Sequence, residues 1–390
     1  LVRTELTAIA LLVATGCTTA TQTVAQPNSP LLWSDALQTE IKAEWQSAEH
    51  RAFDFWIGEW EMNWRQRPDG DFYHEEEGNW THQRVFPILG GKAIVELAWA
   101  RDNPEEASQR GFSIRYYDPE HTHWVMAQNW PNENNQGTAF LDQLIGKENH
   151  GRLTMYSATQ RPRPDGEFSL QHRRYNFADI QKETFRWDGS NTLDKGATWV
   201  TWAVVDAYKK RALDPFGAAG TAFPGVHQEN LCTTKPHGAF DNLEGVWNGE
   251  ALFADGCKKS ARLAAGKVLD GCGVAAMLKT GDQQLFMALG YVDRYEHWIN
   301  FQLDDLSGSR HRYSVSKQAG AGAVFEEAPA LSIKDEFSLY VTPEAFNTEP
   351  ALKRTVWETL SETEIVLRNE ERKRVDDEWR MTVTYSLIRQ

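Results

Sequence analysis

His121 and His123 stand two residues apart, so an extended strand carries both rings on one side. That spacing can hold a metal ion, but a site needs a third ligand. Only His74, His82 and Glu120 are at hand, and the matching later segment keeps His297 with Tyr295 in place of a second histidine. No metal and no cofactor is therefore expected; haem lacks an axial-ligand motif as well. The other side of the same strand carries Trp124, Met126, Gln128 and Trp130, and the later segment repeats this as Trp298, Asn300 and Gln302. Flat rings interleaved with amides suit a pocket wall, which needs apolar surface and a few oriented hydrogen bonds. Carboxylates are plentiful, but none forms a pair set apart for acid–base work. Glu75-Glu76-Glu77 is a run, Glu59 and Glu61 share a strand face, and Asp118 precedes Pro119 in a turn. The nucleophile elbow, phosphate loop, dinucleotide fingerprint and zinc-protease motif are all missing, so catalytic residues stay unassigned.

Strands must position these side chains. Trp56, Gly58, Trp60, Met62 and Trp64 alternate with polar residues, as do Ala93, Val95, Leu97 and Trp99, and Trp379, Met381, Val383, Tyr385 and Leu387. Turn signals separate the segments: Pro68-Asp69-Gly70, Pro164-Asp165-Gly166 and Asp188-Gly189. Many short strands with few helical stripes predict a sandwich or a barrel. A closed barrel leaves no free edge.

The pattern occurs twice. Phe53-Asp54-Phe55-Trp56-Ile57-Gly58-Glu59-Trp60 is answered by Phe240-Asp241-Asn242-Leu243-Glu244-Gly245-Val246-Trp247. Ile88-Leu89-Gly90-Gly91 is answered by Val268-Leu269-Asp270-Gly271, and Tyr116-Tyr117-Asp118 with His123-Trp124 by Tyr291-Val292-Asp293 with His297-Trp298. Landmarks in one order at near-equal spacing predict a duplication. The Pro- and Gly-rich stretch between the copies reads as a linker. The expected division is a signal segment over 1–17, a tether over 18–46, a first barrel over 47–212, a linker over 213–237 and a second barrel over 238–390.

The twice-occurring G-x-W, Gly58-Glu59-Trp60 and Gly245-Val246-Trp247, resembles the lipocalin/calycin motif. The fuller set is similar to a bacterial family of lipocalin-like domains of unknown function. The resemblance implies an all-β chain of two lipocalin-like antiparallel β-barrels in tandem. It also implies that each motif Trp packs at the closed end under a basic residue of the last strand: Arg389 in the second copy, and Lys209, Lys210 or Arg211 in the first. It further implies a cavity. The ligand-binding residues expected are Trp60, His123, Trp124, Gln128, Trp130, Trp298, Asn300 and Gln302, with the first copy the better place to look. The alternatives are an isomerase- or hydratase-like enzyme using His123 and Asp118, and an envelope interaction module with filled barrels.

Bulk properties narrow the partners. The formal net charge of −14 repels phosphate backbones, so nucleic acid is not expected as a partner. Arg3 precedes an apolar run from Leu6 to Val13, which is too short to span a bilayer, and small residues then lead into Cys17. This is similar to a bacterial lipobox. It predicts acylation of Cys17, a lipid anchor to the membrane, and residence on the periplasmic face of the outer membrane or as a soluble periplasmic or secreted protein. A small-molecule ligand is the expected partner. With Cys17 acylated, Cys232, Cys257 and Cys272 predict one disulfide and one free thiol.

Overall fold

A computed structural model describes residues 42–66, 80–99, 109–131, 139–162, 168–211, 232, 236–293, 295–306, 308–332 and 350–390. The chain is all-β and forms two closed antiparallel ten-stranded barrels in tandem. In each, every strand pairs with the next and the last closes on the first. In the first barrel β1 (Gly58–Gln66) closes on β10 (Val200–Arg211); in the second, β11 (Gly245–Phe253) closes on β20 (Arg380–Arg389). Closure removes the exposed edges that an open sheet would present.

The G-x-W motif closes one end of each barrel by the same means. Gly58 and Gly245 both have φ near 143°, a backbone that disfavours any residue with a Cβ. The following Trp turns inward and is fully buried, and its indole N–H donates to a carbonyl four residues back: Trp60 to Trp56 at 2.6 Å, Trp247 to Leu243 at 2.9 Å. A cation from the last strand lies over each ring, Lys209 Nζ at 5.3 Å from Trp60 and the Arg389 guanidinium at 4.9 Å from Trp247. Of the three basic residues expected over Trp60, Lys209 takes the place. It sits directly across from Trp60 in the β1–β10 register.

The buried apolar side chains form three groups. Two fill the barrel interiors, around Trp60, Trp124 and Trp187 in the first and Trp247, Trp298 and Trp357 in the second. The third lies between the barrels. It draws on β2 (Trp80–Ile88), β3 (Ala93–Trp99), β4 (Gln109–Asp118) and β5 (His123–Asn129), and on β12 (Lys258–Val268), β13 (Gly273–Thr280), β14 (Gln283–Val292) and β15 (His297–Asp304). Val95, Leu97 and Trp99 therefore point away from their own barrel and into its neighbour, and β3 is buried on both faces.

This junction is arranged about an approximate two-fold axis. Tyr117 pairs with Trp124 and Tyr291 with Trp298, which fixes the equivalence of β4 and β14 one residue away from the sequence alignment of their Tyr and Asp. Phe112 and Phe286, each five positions before that tyrosine, then hold the same place and stack on each other, centroids 6.1 Å apart and planes 19° apart. The turns Leu89–Gly91 and Leu269–Gly271 share three successive positive φ values and cross over. The first packs on β14 and the second on β4. The residue after each turn differs. Lys92 is buried, and its ammonium donates to the carbonyls of Asp304, Leu306 and Ser309 of the other barrel at 2.8–2.9 Å. Its counterpart Cys272 is disulfide-bonded to Cys232. Cys257 is disulfide-bonded as well, so no described cysteine is free and the expected free thiol is corrected. Cys17 lies outside the described residues.

Polar contacts pin the same junction. His311 is fully enclosed: its Nδ1 accepts from the Tyr116 hydroxyl at 2.6 Å and its Nε2–H donates to Gln143 Oε1 at 2.9 Å. The Gln143 amide N–H in turn donates to the Leu331 carbonyl at 2.7 Å, which fixes which atom is the acceptor. Burial holds the His311 pKa down to about 3, so this neutral tautomer persists.

Candidate functional site: the two barrel interiors

Inward positions alternate along each strand, so register places side chains from successive strands in rows. In the first barrel one row reads Glu96 on β3, Ser113 on β4, Gln128 on β5 and Asp142 on β6 (Asp142–Asn149). These groups bond to one another and to neighbouring inward side chains, with Arg115 Nε and Nη1 left without a partner. Ser113 Oγ and Arg115 Nη2 both donate to Glu96 Oε2 at 2.6 Å, and the Arg115 guanidinium lies over Trp56 at 4.2 Å. Arg115 is buried, which favours its uncharged form, while the Glu96 carboxylate opposes that shift. Gln128 Nε2 donates to Asp142 Oδ2 at 2.8 Å and to the Tyr175 hydroxyl at 3.3 Å, and Arg173 is paired with Asp142. Trp124 donates to the Glu49 carbonyl at 3.0 Å, and the ring of Trp130 lies where a side chain at Gly111 would have to go. Trp60, Trp124, Gln128 and Trp130 thus all face the first barrel's interior and are held by the barrel's own groups.

The second barrel differs in the same row positions. Ala276, Met287 and Leu289 replace Glu96, Ser113 and Arg115, so the interior carries apolar groups where the first carries charge. Into this surface points Asn300 of β15. It is 1% exposed, and neither its amide oxygen nor its amide nitrogen has a hydrogen-bond partner. Among the described residues it is the only amide side chain with both atoms in that state. Directly across the β15–β16 register lies Ser314 of β16 (Arg312–Ser316), whose hydroxyl is also buried without a partner. Trp298, one inward position below Asn300, is buried with its indole N–H unpartnered. A cavity of about 240 Å³ adjoins Ser314; Gln302, Phe325, Thr355 and Asn369 line it together with charged side chains that include Arg312, Arg354 and Glu370. Leaving a buried amide unpaired costs about 1–3 kcal/mol. Ser314 links this unpartnered amide to the cavity, since it lines the one and lies directly across from the other.

The histidine pair lies elsewhere. His123 is on the outer face of β5, opposite Trp124, so the two do not share a cavity. Its Nε2 is buried without a partner, and burial lowers its pKa to about 4. The His121 and His123 rings are 5.7 Å apart. Asp118, Glu120 and His121 bring one ligand atom each within 4.8 Å. The buried Asp118 carboxylate is already taken: Arg310 lies 2.7 Å from Oδ2, His121 Nδ1 is 3.2 Å away, and the Glu120 backbone N–H donates to Oδ1 at 3.0 Å. With a guanidinium in place, the cluster does not read as a cation site. His74 lies outside the described residues.

Sequence reasoning did not single out Ser314, Thr355 or Asn369. Ser314 sits on a five-residue strand, too short for alternation to stand out.

No family model matches the chain, and no curated protein matches it. A solved structure from Nostoc punctiforme, described as a protein with unknown function from the DUF3598 family, is similar at 10% identity and a TM-score of 0.23. The match covers 88% of this chain and 100% of that one. A likeness that loose carries no argument about fold or function, which rest on the geometry above.

Proposed function

We propose that this protein binds a small molecule of mixed polarity in a lipocalin-like manner, through the open end of its second barrel. The observation that carries the reading is the buried, doubly unpartnered amide of Asn300 beside the unpartnered Ser314 hydroxyl. The ligand would enter on the Ser314 side, present one donor and one acceptor to Asn300 behind it, and lay an apolar part against Phe325. The volume of about 240 Å³ is below the roughly 300–1,000 Å³ of drug-sized pockets, so the ligand is small. The first barrel, with its charged groups paired internally, acts as scaffold. Export of the chain is part of the same reading: the N-terminal apolar run supports it, and the Cys232–Cys272 disulfide suits an oxidising compartment.

The test is native mass spectrometry of the purified full chain, followed by solvent extraction. A retained non-covalent mass, lost in an Asn300→Leu variant, is expected. Co-purified and added small molecules that all fail to bind, or that bind equally to both proteins, would overturn the proposal.

A further inference from the structure

A second cleft lies on the outside of the first barrel, separate from both interiors. It holds about 810 Å³ between β5, β6, β7 (Arg152–Pro162), β8 (Phe168–Ala178) and the turn that joins β9 (Thr184–Thr192) to β10. Its lining includes the basic residues His121, His123, His172, Lys147 and Lys195 beside neutral polar side chains, and no carboxylate lines it. That is unusual in a chain with a net charge of −14. Neither lysine has a carboxylate partner among the described residues; Lys147 reaches only the Thr122 hydroxyl, at 3.2 Å. Two acids close in sequence to the lining are engaged by other groups. Asp118 is held by Arg310. Asp194, next to Lys195, accepts from the Thr192 hydroxyl at 2.6 Å and from the Thr198 backbone and hydroxyl at 2.9 and 2.6 Å. The lining thus carries cationic and no anionic side chains, although the Asp194 carboxylate, held ionised by its hydrogen bonds, stands beside Lys195.

Two further observations point to an occupant. His123 lines the cleft yet is only 6% exposed, and its buried Nε2 has no partner. Trp199 forms the opposite edge, braced by the Arg174 guanidinium at 4.4 Å, on a turn that the Asp194 hydrogen bonds make rigid. Tyr156 supplies a second ring on the sheet side.

We propose that this cleft binds an anionic small molecule carrying a planar ring, with its oxyanion between Lys147, Lys195 and the histidines and its ring against Trp199 and Tyr156. Charge-assisted hydrogen bonds from ammonium and imidazole groups fix the anion. Ring stacking supplies the contact area. Burial keeps His123 neutral near pH 7, so its ring contributes a hydrogen bond and the lysines contribute the charge.

The test uses the full chain and three probes in isothermal titration: 4-nitrophenyl phosphate, neutral 4-nitrobenzyl alcohol, and inorganic phosphate. The aryl phosphate is expected to bind saturably, about tenfold or more tighter than either control. The double variant Lys147→Gln/Lys195→Gln alters two exposed side chains. It is expected to weaken aryl phosphate binding about tenfold or more with an unchanged melting temperature. Asn300→Leu should leave this binding intact, which separates the cleft from the barrel cavity. Equal affinity for the aryl phosphate and the alcohol, or wild-type affinity in the lysine double variant, would overturn the proposal. Inorganic phosphate binding as tightly as the aryl ester would overturn the ring's part in it.

Discussion

Asn300→Leu separates a ligand site from an ordinary polar core residue, because the two give opposite signs. Leucine keeps the branching of the side chain and removes both unpartnered amide atoms. The unpaired amide costs the empty protein about 1–3 kcal/mol, so the empty variant should be more stable by that amount. For a unit of 150–250 residues, each kcal/mol moves the melting temperature by roughly 2–4 °C. Calorimetry on stripped protein should therefore show a rise of about 2–12 °C. Addition of the extracted ligand should reverse the ranking. At about a hundred times Kd it stabilises the wild type by about 2.7 kcal/mol and leaves the variant unmoved. A stripped variant that melts lower than stripped wild type would refute the reasoning, since it would mean that Asn300 is satisfied within the folded chain.

Two further outcomes follow from groups already described. Glu96→Gln removes the charge that compensates the buried Arg115 and should cost about 3–5 kcal/mol in urea denaturation; a loss below about 1 kcal/mol would show the guanidinium to be satisfied by Trp56 and Phe53 alone. Stability should also fall as the pH drops from 7 to 5. Burial lowers the pKa of His311 to about 3 and those of His82 and His123 to about 4, so these rings stay neutral in the folded chain while the unfolded chain takes up protons near pH 6.5. The contribution is complete above pH 6.5 and is lost below it, at up to about 1.4 kcal/mol per pH unit per histidine. A flat profile over that range, where most carboxylates remain ionised, would contradict the burial of these neutral rings.

Much of the fold was legible because the barrel writes itself into short range. Gly58 and Trp60, with Gly245 and Trp247, mark the closed ends, and alternation marks the strands. What alternation cannot carry is which side is in. Ala93, Val95, Leu97 and Trp99 have the same pattern as Trp60, Met62 and Trp64, yet they face the other barrel. The distinction depends on a second surface that is contributed by the other half of the chain. The same limit governs the site. Gln128 and Asn300 look alike as amides two or four places after a Trp. Asp142 and Tyr175 answer the first, and no described group answers the second. Satisfaction of a polar group is a property of distant neighbours and is not visible in local spacing.

The approximate two-fold at the junction has a consequence for how the halves diverge. In a dimer of identical chains, a substitution appears on both sides of the axis, and any charge introduced into one cavity enters the other. Carrying both halves on one polypeptide frees each position from its mirror image and makes their association independent of protein concentration. Lys92 and Cys272 show that freedom at the junction itself: one place anchors by an ammonium, the other by a covalent bond. Glu96 and Ala276 show it inside the barrels. One half can fill its interior with paired charges while the other keeps an apolar interior with an unpartnered amide, a division that strict symmetry would forbid.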